Sequence, residues 1–411
     1  MHRDCSTKKQ ITKTVIILLF SFLLPKESMA SFIETTMGTA VVNDATASYF
    51  NPAALLQLKN TQIIPLMTLM QYRTSFNGTV TTASSGFSQS GTANATSWFY
   101  SPSFYAGLPL NKKVTLGLAF VSHFVNRDPD ENSILETIQP GNSIQDYTLV
   151  PGFGMKLNDI LSVGAGLVFS YTRLSSSPTP GLPGTSNPNV TGTNQSSGSG
   201  IGGNIGFLLK PRDGTLIGLN YRTQISYPEK GTSRINGPTP LTSSGYQFQL
   251  TIPARATLSL AQQLTKNSKL IMTVQHINWN HIKTIQVNGV TTLIGTTSVI
   301  THAVIPEYLK NTWILTLGDN YRFKPDWILR VAGTFNESPG NSSYQITEGN
   351  SYILLASLGH DINKILTVDV GYAHAFIQDA SIHTNGQRVI INGINSASRD
   401  AASLKLTVNV V

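Results

Sequence analysis

From residue 61 onward the chain alternates apolar and polar positions with a period of two, the signature of strands with two unlike faces. Leu161, Val163, Ala165, Leu167, Phe169 and Tyr171 alternate with Ser162, Gly164, Gly166, Val168, Ser170 and Thr172. Near the end, Leu404, Leu406, Val408 and Val410 alternate with Lys405, Thr407 and Asn409. A soluble sandwich would alternate too, so the turns must decide. Six tight polar turns stand between long strands: Asn111-Lys112, Asn158-Asp159, Arg212-Asp213-Gly214, Lys266-Asn267, Lys324-Pro325-Asp326 and Asn363-Lys364. Seven longer segments rich in Ser, Thr, Asn and Gly separate these hairpins, at 77–93, 128–142, 177–197, 231–244, 289–307, 339–346 and 381–397. Strict alternation of short and long connections gives 14 strands with both ends on the short-turn rim, the pattern of an outer-membrane barrel. Closure also removes the exposed edges that an open sheet of this size would have to protect. The expected fold is all-β, a 14-stranded antiparallel transmembrane β-barrel occupying 61–411.

Residues 31–60 lack the alternation and end in a helix-start signal, Asn51 as N-cap and Pro52 at the first helical position, followed by Ala53. A compact segment ahead of the first strand is well placed to fold into the lumen as a hatch. A periplasmic tail with one helical turn is the alternative.

Composition supports a membrane setting. Charged residues make up 12% of the 411, about half of the roughly 25% usual in soluble domains. Residues 1–30 read as a secretory signal: a basic start (Arg3, Lys8, Lys9, Lys13), an apolar run from Thr14 to Leu24, and the small-residue cleavage site Ser28-Met29-Ala30. That run is shorter than the about 20 residues of a spanning helix. The lone cysteine, Cys5, lies in the signal, so a mature chain starting at Ser31 has no thiol chemistry. Removing the signal leaves 24 basic against 19 acidic residues, a net +5. No basic cluster with interleaved aromatics accompanies this excess, so a nucleic-acid partner is not expected.

Motifs for catalysis are missing: there is no Gly-x-Ser-x-Gly elbow and no Walker loop, and the dinucleotide-like spelling Gly198-Ser199-Gly200-Ile201-Gly202-Gly203 opens a strand with no helix behind it. His276 and His281 are five apart in a strand and point to opposite faces, so they do not share a metal. No catalytic residue, metal site or cofactor is expected. Phe87, Leu182 and Leu293 are apolar residues in polar loops, where they could rim an entrance groove.

Several runs resemble the long-chain fatty acid outer-membrane transporter family (OMPP1/FadL/TodX). They are Gly38-Thr39-Ala40, Asn43-Asp44-Ala45 and Asn51-Pro52-Ala53-Ala54-Leu55 near the start, then Ile252-Pro253, Ile277-Asn278-Trp279-Asn280 and Lys310-Asn311-Thr312-Trp313. Trp327 to Gly333 with Ser338-Pro339, and Val368 to His374, continue the match in the same order. The resemblance implies a barrel with an N-terminal hatch (Asn51, Pro52, Ala53), passive uptake of long-chain fatty acids or similar hydrophobic compounds, and sideways release through the wall. It places the gap at an inward kink of the third strand, at Ser122, His123, Phe124 and Val125, facing Ser97 of the second. Val125 stands where the family can carry glycine, and the C-terminal Val410-Val411 replaces the usual aromatic. A carboxylate in a dry cavity needs a basic partner. The resemblance offers Lys310, ahead of the tenth strand, and Arg173, at the end of the fifth, as substrate-binding residues. Arg330, inward by parity, reads instead as a structural partner of a lumen acid such as Asp369. The expected setting is the Gram-negative outer membrane, with its lipids and lipopolysaccharide as neighbours and the protein as a monomer. Two rival readings are a channel for aromatic or alkane hydrocarbons and a surface structural or adhesive barrel.

Overall fold

A computed structural model describes residues 32–130, 133–185, 187, 189–384, 386 and 388–410; the signal sequence read at 1–30 lies outside them. One closed antiparallel sheet of 14 strands forms the wall. The first six are β1 (Thr61–Thr82), β2 (Phe87–Asn111), β3 (Val114–Pro129), β4 (Gly141–Lys156), β5 (Leu161–Ser177) and β6 (Thr191–Arg212). Four strands are interrupted in the middle: β7 (Thr215–Arg222 and Ile225–Asn236), β8 (Leu241–Ile252 and Arg255–Gln263), β9 (Ser268–Ile277 and Thr284–Ile294) and β10 (Thr297–Pro306 and Thr312–Lys324). The wall continues with β11 (Trp327–Asn336), β12 (Ser351–Asp361), β13 (Leu366–Ile377 and Ala380–His383) and β14 (Val389–Val410). Pairing of β1 with β14, from Thr61↔Val410 to Thr82↔Val389, closes the circle.

All six tight turns fall where the sequence pattern puts them. The long connections differ from expectation. Residues 77–82 and 87–93 are strand, the 289–307 segment is mostly a β-hairpin, and 231–236 and 389–397 extend β7 and β14. These extensions stand clear of the apolar band, so neither face needs to be hydrophobic and the period-two signal fades, while cross-strand hydrogen bonding continues. Two small apolar cores brace them. Phe76, Val80, Ile134, Leu135, Ile382 and Ile391 belong to one, with Leu182 packed against it; Val190, Ile235 and Leu293 form the other. Leu182 and Leu293 therefore serve as packing residues of the rim.

The sheet is inside-out relative to a soluble protein. On β3, Leu116, Leu118 and Phe120 are exposed while Thr115, Ala119 and Val121 are buried. On β5, Leu167, Phe169 and Tyr171 are exposed while Ser170 and Thr172 are buried. An apolar outer belt continued around the wall by Ile201, Leu219, Met272, Leu317 and Leu354 is a surface for lipid.

Candidate functional site

Fourteen strands enclose more volume than wall side chains fill, and the segment ahead of β1 packs into that volume. It consists of α1 (Phe32–Met37), a 3-10 turn (Thr39–Val41), α2 (Ala47–Phe50) and a 3-10 turn (Pro52–Gln57). Ile33, Val42, Ala45, Ala53, Ala54 and Leu55 are fully buried. Asn51 caps the last turn as its position before Pro52 implies: its Oδ1 accepts from Ala53 N at 3.2 Å. Its amide also donates to Ala40 O at 2.6 Å and to Phe207 O of β6 at 3.1 Å. The turn is 3-10 and not α, with Pro52 and Ala53 both buried.

The wall is shaped to this segment. A Cβ on Gly206 would stand 1.8 Å from Asn51 Oδ1, and one on Gly218 1.9 Å from Ala40 O. Glycine is the residue that lets the wall come this close to the Asn51 side chain and the Ala40 backbone. Polar anchors complete the fit. Asn204 Nδ2 donates to Tyr49 O at 2.8 Å, and the Arg222 guanidinium lies 3.9 Å over the Tyr49 ring. Ala40 N donates to Ser259 Oγ at 3.1 Å.

A buried ionic cluster ties the segment to the opposite side. Lys405 Nζ of β14 lies 3.0 Å from Asp44 Oδ2, 3.4 Å from Glu34 Oε1 and 3.8 Å from Asp369 Oδ2. Arg330 pairs with the same Asp369, as strand parity indicated. Burial pushes the Glu34 carboxyl up to about 7 against the pull of Lys405. Burial also opposes ionisation of Asp44, but Lys405 and Thr46 outweigh it and hold that carboxyl below its ordinary value. The sequence reading missed Lys405; its parity, opposite to Leu404, was the available signal.

Between the segment and the wall lies a small, partly enclosed cavity. Thr35 of α1 lines it with Ile314, Ile353, Leu355, Ala373 and Ala401 as its apolar part, and Thr316, Thr334, Gln275 and Asn336 as its polar part. No charged side chain is in this lining. The 337–350 connection is pinned nearby: Arg399 pairs with Glu348, Tyr72 OH donates to Glu348 Oε2 at 2.8 Å, and Asn395 Nδ2 to Thr347 O at 2.8 Å.

The two basic residues suggested by the resemblance lie elsewhere. Arg173 is exposed and shares parity with exposed Tyr171, while its buried neighbour Thr172 faces inward. Lys310 is exposed in the break of β10, its N–H donating to Pro339 O at 3.1 Å. Neither lines the cavity beside α1.

The residues named for the gap are also distributed differently. Ser97 pairs with Arg127, not with Ser122, which stands opposite Pro102. At about 3.3 Å per residue, that places them roughly 16 Å apart along the wall. By parity Ser97 faces inward and Ser122 outward, yet Ser122 is buried, unlike Leu116, Leu118 and Phe120 of the same parity. Pairing of β2 with β3 runs to Tyr100↔Phe124 and resumes at Ser103↔Val121 in the same register, leaving out Ser101, Pro102, Ser122 and His123. Pro102 has no N–H to give, and Ser122 Oγ donates to its carbonyl at 2.7 Å instead. Pairing of β3 with β4 is unbroken from Val114 to Arg127, so β3 keeps its register there. His123 Nδ1 lies 2.9 Å from Asp146 Oδ2 and its ring 5.5 Å from that of Phe99. Phe124 packs edge-on against Tyr147, and Val125 is buried.

Comparison with known proteins matches this architecture. The barrel superposes on a FadL homologue of Pseudomonas aeruginosa with a TM-score of 0.77 at 19% identity, over 90% of this chain and 96% of that one. It superposes on the toluene transporter TodX of Pseudomonas putida with 0.66 at 15% identity (92% and 97% covered). For the toluene transporter TbuX of Ralstonia pickettii the score is 0.64 at 14% identity (91% and 97% covered). A curated outer membrane protein of Neisseria meningitidis serogroup B is 23% identical over 223 residues, 48% of this chain; the match spans about half of that relative, 47% of its length. The model of the family described as outer membrane protein transport protein (OMPP1/FadL/TodX) matches residues 21–410. The inverted barrel and a family match spanning its whole wall together place the chain in the outer membrane protein transport protein family (OMPP1/FadL/TodX).

Proposed function

We propose that this barrel takes up small hydrophobic compounds passively, with residues 32–58 as a hatch that closes the lumen at rest. The cavity between α1 and the wall carries this reading: an apolar slot with only neutral polar groups suits a neutral cargo, such as an aromatic or alkane hydrocarbon. A long-chain fatty acid is the second reading. In it, exposed Lys310 and Arg173 would capture the carboxylate at the surface, and only the acyl tail would use the slot. Release is sideways at the interrupted β2–β3 ladder, where two strands must separate without breaking a full set of backbone hydrogen bonds. Lateral release also keeps the cargo out of the aqueous periplasm, which would cost about 0.8 kcal/mol for each CH2 exposed.

Uptake of radiolabelled toluene and oleate by proteoliposomes separates the cargo classes. The proposal expects toluene uptake that is unchanged in a Lys310→Ala, Arg173→Ala variant; uptake of oleate alone, lost in that variant, would favour the second reading. Ser122→Arg should abolish uptake while Ser97→Glu leaves it intact. Wild-type rates in Ser122→Arg would defeat the lateral route.

A further inference from the structure

The outer face of the wall is left positive on one arc and compensated on the other. Between Gly141 and Pro306 the chain carries four acids, Asp146, Asp159, Asp213 and Glu229. Asp159 and Asp213 sit in tight turns of the short-turn rim, against Lys156 at 2.6 Å and Lys210 at 2.7 Å. Glu229 is fully buried, and Asp146 is held from the lumen side by His123 and by Ser170 Oγ at 2.9 Å. The long-loop half of β4 to β9 therefore presents no carboxylate outward.

Three cations stand on that face. Arg173 of β5 pairs across the ladder with Ser197 of β6, and Ser197 pairs on its other side with Lys230 of β7. Directly paired residues share a face, and Arg173 and Lys230 are exposed while their neighbours Thr172 and Glu229 are buried. Two strand spacings put the two Cα atoms about 10 Å apart. Arg234, also exposed, is opposite Thr193 and lies farther up β7, about 13 Å from Lys230 at 3.3 Å per residue. None of the three has an ion-pair partner among the described residues. Immediately below Arg173 the face turns apolar. Tyr171 stacks on Tyr147 with ring centroids 6.5 Å apart, Phe124 meets Tyr147 edge-on at 5.6 Å, and Phe169, Leu167 and Ile201 continue the belt. Aromatic rings at this edge mark the membrane interface, so the cations stand at the depth of the lipid headgroups. Across the barrel the pattern differs: exposed Arg73 is met by Asp400 at 3.2 Å, which also takes His374 Nδ1 at 2.8 Å and the Tyr372 hydroxyl at 2.6 Å.

We propose that this face docks a lipopolysaccharide molecule of the outer leaflet, its phosphates on Arg173, Lys230 and Arg234 and its acyl chains on the belt below. Charge complementarity carries the choice. Arg173 and Lys230 straddle one phosphate next to the acyl chains, with the Ser197 hydroxyl between them as a further donor, and Arg234 meets a second anionic group higher up. A fatty acid has one carboxylate and engages only the lower pair. A second copy of this chain would bring the same positive face and be repelled. The surface does not depend on what the lumen carries.

Native mass spectrometry of the purified full-length barrel tests this by titration in detergent with lipid A bearing two phosphates, its monophosphoryl form and oleate. The two-phosphate lipid should bind at least tenfold more tightly than oleate, and more tightly than the monophosphoryl form. Each cation beside an anionic lipid is worth roughly fivefold in affinity. Arg173→Gln, Lys230→Gln and Arg234→Gln together should therefore weaken the two-phosphate lipid by about a hundredfold, whereas Arg73→Gln should leave its binding unchanged. Inorganic phosphate, which lacks acyl chains, should compete poorly. The proposal is overturned by oleate binding as tightly as the two-phosphate lipid, or by wild-type affinity in a triple variant that remains heat-modifiable on gels. An equal loss in Arg73→Gln, or full displacement by equimolar inorganic phosphate, overturns it as well. Toluene uptake is read separately: no uptake by the wild type with the lipid order intact would remove the transport reading and leave the surface standing.

Discussion

Replacing Lys405 by methionine should release the N-terminal segment. The cluster holds Lys405 and Arg330 against Glu34, Asp44 and Asp369, a balance of −1 with every group ionised. Methionine conserves much of the side-chain volume but leaves a surplus of −2 in a place that water does not reach. Breaking a buried pair by removing one partner costs about 3–5 kcal/mol. Arg330 keeps Asp369, so the unmatched charges fall on Glu34 and Asp44, both on the segment. If that cost acts on the packed segment alone, the ratio of closed to open molecules falls by roughly two to three and a half orders of magnitude, at about 1.4 kcal/mol per tenfold. Single-channel recording in planar bilayers reads the result: Lys405→Met should conduct where the wild type stays closed, with the barrel still heat-modifiable on gels. A triple variant that adds Glu34→Gln and Asp44→Asn removes the orphaned charges and should recover most of the closure. Closed, wild-type-like traces from Lys405→Met would refute the reasoning, because the segment would then be held without the cluster.

The same cluster gives a pH dependence. Glu34, raised from 4.5 to about 7 when packed, binds its proton more tightly in the packed state, so packing is favoured as pH falls and that advantage is lost as pH rises from about 4.5 through 7. Conductance should therefore be higher at pH 8 than at pH 5, and Glu34→Gln should flatten the difference. Asn51→Ala removes a cap and two further hydrogen bonds, and should lower the urea midpoint by the equivalent of about 1–3 kcal/mol; an unchanged midpoint would mean that the segment is not part of the folding unit. Gly206→Val drives a side chain into Asn51 and should open the channel as Lys405→Met does, which conductance checks directly.

Much of the fold was legible because a barrel repeats one local rule. Alternation gave each strand its two faces, and Asn-, Asp- and Lys-rich turns marked one rim. Parity brought Arg330 inward to Asp369, and the Asn51-Pro52 pair announced a helical start that became a 3-10 turn. Parity also held the answer for Arg173, which shares a face with Leu167, Phe169 and Tyr171 and so points away from the lumen. The rim extensions were hidden because strands solvated on both faces carry no hydrophobic period.

Sequence alone therefore determined the wall, its strand count and the face that each side chain takes, since these follow from local alternation and turn chemistry. Only the tertiary structure decided who meets whom across the lumen. Lys405 reaches Asp44 across 361 residues of chain, and Ser122 stands opposite Pro102 and not Ser97. Period-two patterning fixes direction but carries no information on register between distant strands or on what fills the enclosed space. Those are set by closure of the sheet and by the volume left inside it.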